Sequence, residues 1–521
     1  MRKNRTAVHD RDQFHGVLSL LEGRARRMVM NEIAKTPVAP AHSLPRLPGV
    51  ALAALYLGIC LVPLLIALSA SVSPADRWGL AAAALGMVGL GGMAVQFVTS
   101  GRFEIVSGRL GIDKIMAFHK IAAWWILLAV VMHPLVYVLP TWLEKPALGS
   151  ERLVAYLTLP HYRTGVIAWI ALVLLVFSAT LREFLPWRYE VWRASHVLLG
   201  SLAVGCGLHH AISTGRFAAF GPTAVYWNLL AIAIVVVLAT LYGYRWWKLH
   251  RQPWRLASVT RRADRLWELD FQPESGTPQL DYRAGQFVWM TEGKRRFPLF
   301  DHPFSIADSP TRPGLSLIIK EVGDFTRQIG ALAPGTKIGI DGPYGEFFLE
   351  AHPADAVLLI AGGVGIAPVM GMLRDLVSRR DPRPVRLVYA VGAVSNIACR
   401  EEIDAATAVL DLKAFFICET PQEGWDGLIG RLDRARLAEL LEGLDPQRTI
   451  AMMCGPGAMV TAVSDELLDL GMPMENVVYE RFDYSGGATS RQDRRRSLAF
   501  LAVGSLLTAA VASFTFMAAA A

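Results

Sequence analysis

HKIAAWWILLAVVMH (His119–His133) and HVLLGSLAVGCGLHH (His196–His210) are two apolar stretches of equal length, each opening and closing on histidine. In an α-helix the interval between their end histidines turns through about 1400°, roughly 40° short of four full turns, so both end histidines share a face. The rise is roughly 21 Å, most of a hydrocarbon core that is ~30 Å thick. His119 is therefore expected to meet His196 near one membrane face, and His133 to meet His210 near the other. His209, about 100° further round the helix, stays open as the alternative partner of His133. Neutral imidazole is a good iron ligand, and two facing pairs stacked along the membrane normal suit two bis-histidine b-type haems. Histidines that merely bond between helices would not need this repeat, and ionisable groups inside spans are rare and usually functional.

The surrounding sequence supplies the membrane. Of the chain's 521 residues 53% are hydrophobic and 19% charged, but the apolar residues are concentrated. Six spans of about 20 residues are expected near 49–70, 79–98, 115–138, 164–181, 191–212 and 223–243. A seventh is expected at 497–520, behind Arg494, Arg495 and Arg496. The formal net charge of +7 does not argue for nucleic acid, because the basic residues flank apolar runs. Arg102, Arg109 and Lys114, then Arg182, Arg188 and Arg193, then Arg245, Lys248 and Arg251 occupy loops on one side. By the positive-inside tendency that side, with the basic segment 1–48, is cytoplasmic. No secretory signal is read in that segment. The five cysteines form no CxxC pair, which removes support for iron–sulfur and zinc frameworks.

Residues 253–350 alternate apolar and polar in short runs broken by Gly and Pro, as in a small antiparallel β-barrel. Residues 355–480 alternate apolar strands (AVLLIAG, RLVYAVG, AFFICE, IAMMCG) with helical stretches, as in a parallel α/β sheet. In LLIAGGVGIAPVMGML (Leu358–Leu373) a buried-type strand enters a glycine turn and a helix follows. Gly362, Gly363 and Gly365 would let backbone approach a pyrophosphate at the helix N-terminus, with Pro368 in its first turn.

Paired-histidine helices followed by HPFS (His302–Ser305), GDFT (Gly323–Thr326), GPYG (Gly342–Gly345), that glycine turn and MMCGPGAMV (Met452–Val460) resemble the ferric reductase and NADPH oxidase superfamily. The soluble part resembles the ferredoxin–NADP reductase fold, and the resemblance covers roughly 80–490. It implies FAD at His302, Pro303, Phe304 and Ser305, with Phe304 packed on the flavin ring and Ser305 donating to its N5. It implies the flavin pyrophosphate at Gly323 and Thr326, where amides and a hydroxyl meet negative oxygens. Cys454, with Gly455 and Pro456, would lie beside the nicotinamide, although a buried core thiol is a common alternative. Phe482 in YERFDY (Tyr479–Tyr484) would cover the flavin face. Relatives that prefer NADPH often carry an arginine near Gly392. Here AVGAVSN has none and Arg400 is the nearest, so NADH and NADPH both stay open with a lean to NADH.

The expected fold is a multi-domain membrane protein. It comprises a basic segment (1–48), a six-helix haem-binding transmembrane bundle (49–246), an antiparallel β-barrel FAD domain (250–350), an α/β Rossmann-like NAD(P) domain (351–487) and a C-terminal transmembrane helix (497–520). The expected activity is transmembrane electron transfer from cytoplasmic NAD(P)H through FAD and two haems to an extracytoplasmic acceptor. That acceptor would be a ferric chelate, dioxygen giving superoxide, or a membrane or periplasmic redox partner. His161 and Arg163 in the loop 139–163 are the residues there that could attract an anion. The expected setting is the lipid of a bacterial plasma membrane, and no nucleic acid is a partner. A nucleotide-sensing transporter or channel would explain the spans and the glycine turn, but not the histidine spacing or the flavin motifs.

Overall fold

The computed structural model describes residues 49–70, 76–100, 102–103, 112–293, 296–481 and 490–520. Phe482 and the basic segment 1–48 lie outside the described residues.

Among the described residues seven helices are long and apolar enough to cross a membrane. They start with α1 (Gly49–Leu68), α2 (Arg77–Val95) and α3 (Ile112–Glu144). α2 is buried along most of its length because it is built from glycine and alanine. A Cβ on Gly91 would stand 3.1 Å from the Ile59 carbonyl of α1, and one on Gly89 only 2.7 Å from Val130 of α3. In lipid, where apolar burial gives helices little reason to associate, such small-residue contacts let backbones approach.

The expected outer loop at 139–163 is instead mostly helical. α3 runs on to Glu144, and α4 (Pro146–Thr158) follows, started by Pro146 at a position where its missing N–H costs no hydrogen bond. α5 (Arg163–Thr180) and α6 (Tyr189–Ser213) come next. α7 (Gly221–Leu238) continues through a π-helical turn into α8 (Arg245–Arg251), which carries it beyond the expected span.

Two sheets follow. The first contains β1 (Pro253–Ala263), β2 (Leu266–Pro273), β3 (Phe287–Glu292), β4 (His302–Ser305), β5 (Leu315–Lys320) and β6 (Lys337–Tyr344). It is antiparallel in the order β4-β3-β6-β1-β2-β5. A bridge between Ile306 and Leu317 brings its two edges together around a core that includes Leu269, Phe271, Val288 and Ile340.

The second sheet is parallel. β7 (Ala356–Gly362) leads through α9 (Ile366–Arg379) to β8 (Val385–Ala393), then α10 (Arg400–Ala406), β9 (Leu412–Thr420), β10 (Leu428–Ile429) and α11 (Arg434–Leu440). β11 (Thr449–Gly455), α12 (Gly457–Asp469) and β12 (Val477–Arg481) complete it. The order is β10-β9-β8-β7-β11-β12. Connections leave β7 and β11 in opposite directions, so the crevice beyond their carboxyl ends is the switch point where such sheets bind ligands.

α13 (Arg491–Ala520) returns to the membrane helices and buries Leu507, Val511 and Phe514. Trp125 of α3 donates to Thr508 at 3.2 Å. The run Arg494–Arg496 is part of this helix, which starts earlier than hydropathy alone suggests.

Candidate electron-transfer site

The imidazoles of α3 and α6 face one another in two pairs. Ring centroids are 6.4 Å apart for His119–His196 and 6.5 Å apart for His133–His210. A metal bonded at about 2.0 Å to one nitrogen of each ring stands roughly 3 Å from either centroid. Each pair therefore leaves room for one ion between its rings. His209 turns away, with Nδ1 3.2 Å from Thr164 Oγ1 and its backbone carbonyl accepting from Ser213. Of the two candidate partners of His133 it is thus His210 that faces it, because one residue along a helix swings the side chain by about 100°.

The surroundings fit iron-bound imidazole. His133 Nδ1 lies 2.6 Å from the Ala82 carbonyl. A carbonyl only accepts, so Nδ1 carries the proton and Nε2 is left to bind metal. His119 Nδ1 is 3.4 Å from Thr99 Oγ1. The buried Nδ1 atoms of His196 and His210 have no hydrogen-bond partner among the described residues. A cavity of about 490 Å³ opens beside His133 and His210, lined also by Gly86, Gly165, Tyr137 and Arg216. His161 and Arg163 are both exposed.

On the flavin sheet, His302 and Phe304 project from β4 against Phe325 of the GDFT loop. His302 stacks on Phe325 at 4.1 Å with the planes 13° apart, and Phe304 lies 6.3 Å from the same ring. Pro303 is exposed, and Ser305 is buried opposite Phe287 in the ladder. His302 Nε2 is 3.6 Å from the Glu190 carboxylate of α6. Burial holds the His302 imidazole below its usual pKa range, against the opposing pull of Glu190 and Asp301. The Thr326 hydroxyl is engaged within its own loop, where it accepts from the Val322 and Gly323 amides at 2.8 and 2.9 Å. The hydroxyl proton is directed to the Gly323 carbonyl at 3.2 Å, and Gly323 presents open space.

At the switch point most of the glycines serve packing. A Cβ on Gly365 would fall 2.0 Å from the Cys454 carbonyl, and one on Gly362 2.8 Å from Pro456 and Met459. A Cβ on Gly455 would lie 2.6 Å from Met459 and 3.1 Å from Gly362. Gly363 differs: its φ is +56° and open space lies in front of it, so it is the position where backbone can meet a ligand. Pro368 is buried in the first turn of α9. Cys454 has no exposed surface, and its side chain joins the core cluster with Ile366 and Met452. The thiol expected beside the nicotinamide is thus a core side chain here, reached only if what covers it moves. Arg400 is occupied on the surface, 3.2 Å from Asp426 and over the rings of Phe416 and Trp425.

Two groups of functional weight had no sequence signal. Arg374 of α9 forms a two-pronged pair with Glu402 and reaches Glu268 of β2 at 2.6 Å, tying the two sheets together. Arg102, Arg193, Arg245 and Lys248, read from sequence as orientation charges, pair with Asp301 and Asp341 of the flavin sheet.

Comparison with known proteins matches this build piece by piece. Residues 85–207 match the family described as ferric reductase like transmembrane component, residues 255–347 an FAD-binding domain, and residues 359–465 an oxidoreductase NAD-binding domain. The class the matches define is a ferric reductase-like membrane component joined to FAD-binding and NAD-binding domains. The three matches, in this order, fit a ferric reductase/NADPH oxidase-type fusion. Flavohemoprotein of Bacillus subtilis (strain 168) is 27% identical over 246 residues, which is 45% of this chain and 60% of that protein. Sulfhydrogenase 2 subunit gamma of Pyrococcus furiosus is 29% identical over 220 residues, 40% of this chain and 75% of the relative. The solved ferredoxin reductase in carbazole 1,9a-dioxygenase aligns with a TM-score of 0.39 and 22% identity over 44% of this chain and 69% of that one. The chain thus spans about three fifths of the length of the Bacillus protein.

Proposed function

We propose that the chain moves electrons from NAD(P)H on the cytoplasmic side of a bacterial plasma membrane, by way of FAD and two b-type haems, to an acceptor on the opposite side. Ferric chelate and dioxygen, the latter giving superoxide, are the acceptors of this reading. The observation that carries it is the pair of facing imidazole sets, 6.4 and 6.5 Å between centroids, on α3 and α6, the second of which also carries Arg193, an ion-pair partner of the flavin sheet.

In this reading His119 with His196 holds the inner haem and His133 with His210 the outer, inside a six-helix bundle. His302, Phe304 and Phe325 frame the flavin on a closed barrel, with Ser305 at its polar edge. Gly363 and the start of α9 receive the dinucleotide pyrophosphate. Phe482 covers the flavin face until nicotinamide enters. Flavin, when bound, converts a two-electron hydride into single electrons, which haem iron accepts one at a time. The protein's own part is to hold, orient and insulate. His133 is fixed in one tautomer by Ala82, and the cavity beside the outer pair has mostly apolar walls. Arg400, the nearest arginine in sequence to Gly392, is engaged by Asp426, which favours NADH.

The test is a visible spectrum of detergent-purified protein, then anaerobic reduction with NADH and with NADPH. Ferric chelate or dioxygen is admitted afterwards and haem reoxidation followed. The expected result is two b-type haems per chain, both reduced by the nucleotide and reoxidised by one of the two acceptors. Absence of haem absorbance, or haem that the nucleotide never reduces, overturns the reading.

A further inference from the structure

Four basic side chains from three separate parts of the membrane domain converge on two aspartates of the flavin sheet. Arg102, shortly after α2, grips the Asp301 carboxylate at 2.5 and 2.6 Å and also donates to the Pro298 carbonyl. Arg193 of α6 reaches the same carboxylate at 2.7 Å and the Asp301 carbonyl at 3.1 Å. Arg245 and Lys248 of α8 stand 3.5 and 3.6 Å from Asp341 of β6, to which Tyr344 donates at 2.9 Å. Arg245 also donates to the Arg102 carbonyl, which joins the two halves of the cluster. The Trp289 ring lies 3.8 Å from the Arg102 guanidinium and 5.2 Å from that of Arg193.

Cations that serve only to orient a span sit among lipid headgroups and water. These do not: the side chains of Arg102 and Asp301 are 8% and 2% exposed, and those of Arg245 and Asp341 9% and 6%. A buried pair costs desolvation on both sides, so it gives little net stability, and its best-attested use is to fix one arrangement. The guanidinium fork on Asp301 adds directional definition that a lysine would not.

What is fixed follows from chain position. Asp301 immediately precedes His302 of the flavin strand, and Arg193 lies one helical turn before His196 of the inner imidazole pair. A single ion pair therefore joins the strand that frames the flavin to the helix that carries a haem ligand. We propose that Asp301, seconded by Asp341, is a positioning residue that seats the flavin domain at a set distance from the His119–His196 pair. The reductase half is then locked to the membrane half, not carried loosely on the Arg251–Pro253 connection. This rests on the function proposed above. The cluster holds four cations to two aspartates, so loss of Asp301 leaves Arg102 and Arg193 facing each other unpaired. Repulsion and entering water would then part the junction.

The test compares wild type, Asp301→Asn, Asp341→Asn and the double variant Asp301→Asn with Arg102→Gln, all in the full chain. Haem reduction by NADH, dye reduction by the flavin, and hydrogen exchange in β3 and β4 without nucleotide are followed. In Asp301→Asn haem reduction is expected to fall about tenfold or more, with dye reduction within about twofold of wild type. Exchange should rise in β3 and β4 but not in β7 and β11. Asp341→Asn should act in the same direction, and the double variant should recover part of the rate by removing the repulsion. Equal loss of both activities, or unaltered haem reduction and exchange, overturns the proposal. If wild type itself carries no haem, the proposed function fails, and the exchange arm still decides whether Asp301 docks the domains.

Discussion

Replacing Gly86 by alanine tests the outer haem site without touching a ligand. A Cβ there would lie 2.7 Å from Nδ1 and 2.8 Å from Cε1 of His133. Carbon contacts settle at about 3.5–4.0 Å, so the ring must withdraw by roughly 0.7–1 Å. It is not free to do so, because Nδ1 donates to the Ala82 carbonyl at 2.6 Å. A withdrawal of that size breaks the bond, and a buried donor left unsatisfied costs about 1–3 kcal/mol. At ~1.4 kcal/mol per factor of ten, the outer haem should bind roughly 5- to 150-fold more weakly. Gly165 makes the matching contact with His210, at 2.9 and 3.0 Å. His210 Nδ1 has no partner among the described residues, so its ring turns aside more easily and Gly165→Ala should cost less. Gly205, between His196 and His210 of α6, has nothing within 4 Å of its Cβ, and Gly205→Ala serves as the control. Haem per chain, measured by haemochrome absorbance, and a potentiometric titration give the answer. In Gly86→Ala the outer component should be lost or shifted and the inner retained. Two haems with wild-type potentials in that variant would refute the reasoning.

Arg374→Ala strips the buried Glu268, 3% exposed at its side chain, of its main partner. It should cost about 3–5 kcal/mol of stability, measurable by urea unfolding of the detergent-solubilised protein, and a loss below ~1 kcal/mol would show that the pair does not hold the sheets together. His302 is held neutral because burial lowers its pKa. The unfolded chain takes up a proton below about pH 6.5, so this contribution is present above that pH and fades as pH falls. His302→Gln should therefore flatten the acid side of the stability profile, and an unaltered slope counts against the assignment. Truncation after Thr489 removes α13, which packs Leu507, Val511 and Phe514 among the membrane helices. Dye reduction should survive while haem reduction slows, and equal slowing of both would make α13 a general stabiliser.

Hydropathy and helical period are local properties, and the sequence by itself determined what depends on them. The seven spans, the shared face of His119 with His133 and of His196 with His210, the antiparallel strands and the glycine turn after Ala356–Gly362 could all be read from neighbours in the chain. The order of the flavin and nucleotide motifs needed only their sequence. Extent was less legible: α3 and α4 fill what hydropathy leaves as a loop, because polar and charged residues at a helix end do not stop the helix. Partners across the fold were not legible at all. Nothing near Arg102 in sequence points to Asp301, 199 residues away, and a basic residue after a span reads the same whether lipid or aspartate receives it. His209 and His210 are equal as letters, and only the packing of α6 against α3 turns one to His133 and the other to Thr164. Gly362 and Gly365 look like ligand glycines in the motif, yet the approach of β11 to β7 is what forbids a side chain there. Tertiary structure alone decides such matters, because a contact between distant segments is a property of both partners, and the sequence around either one contains only half of it.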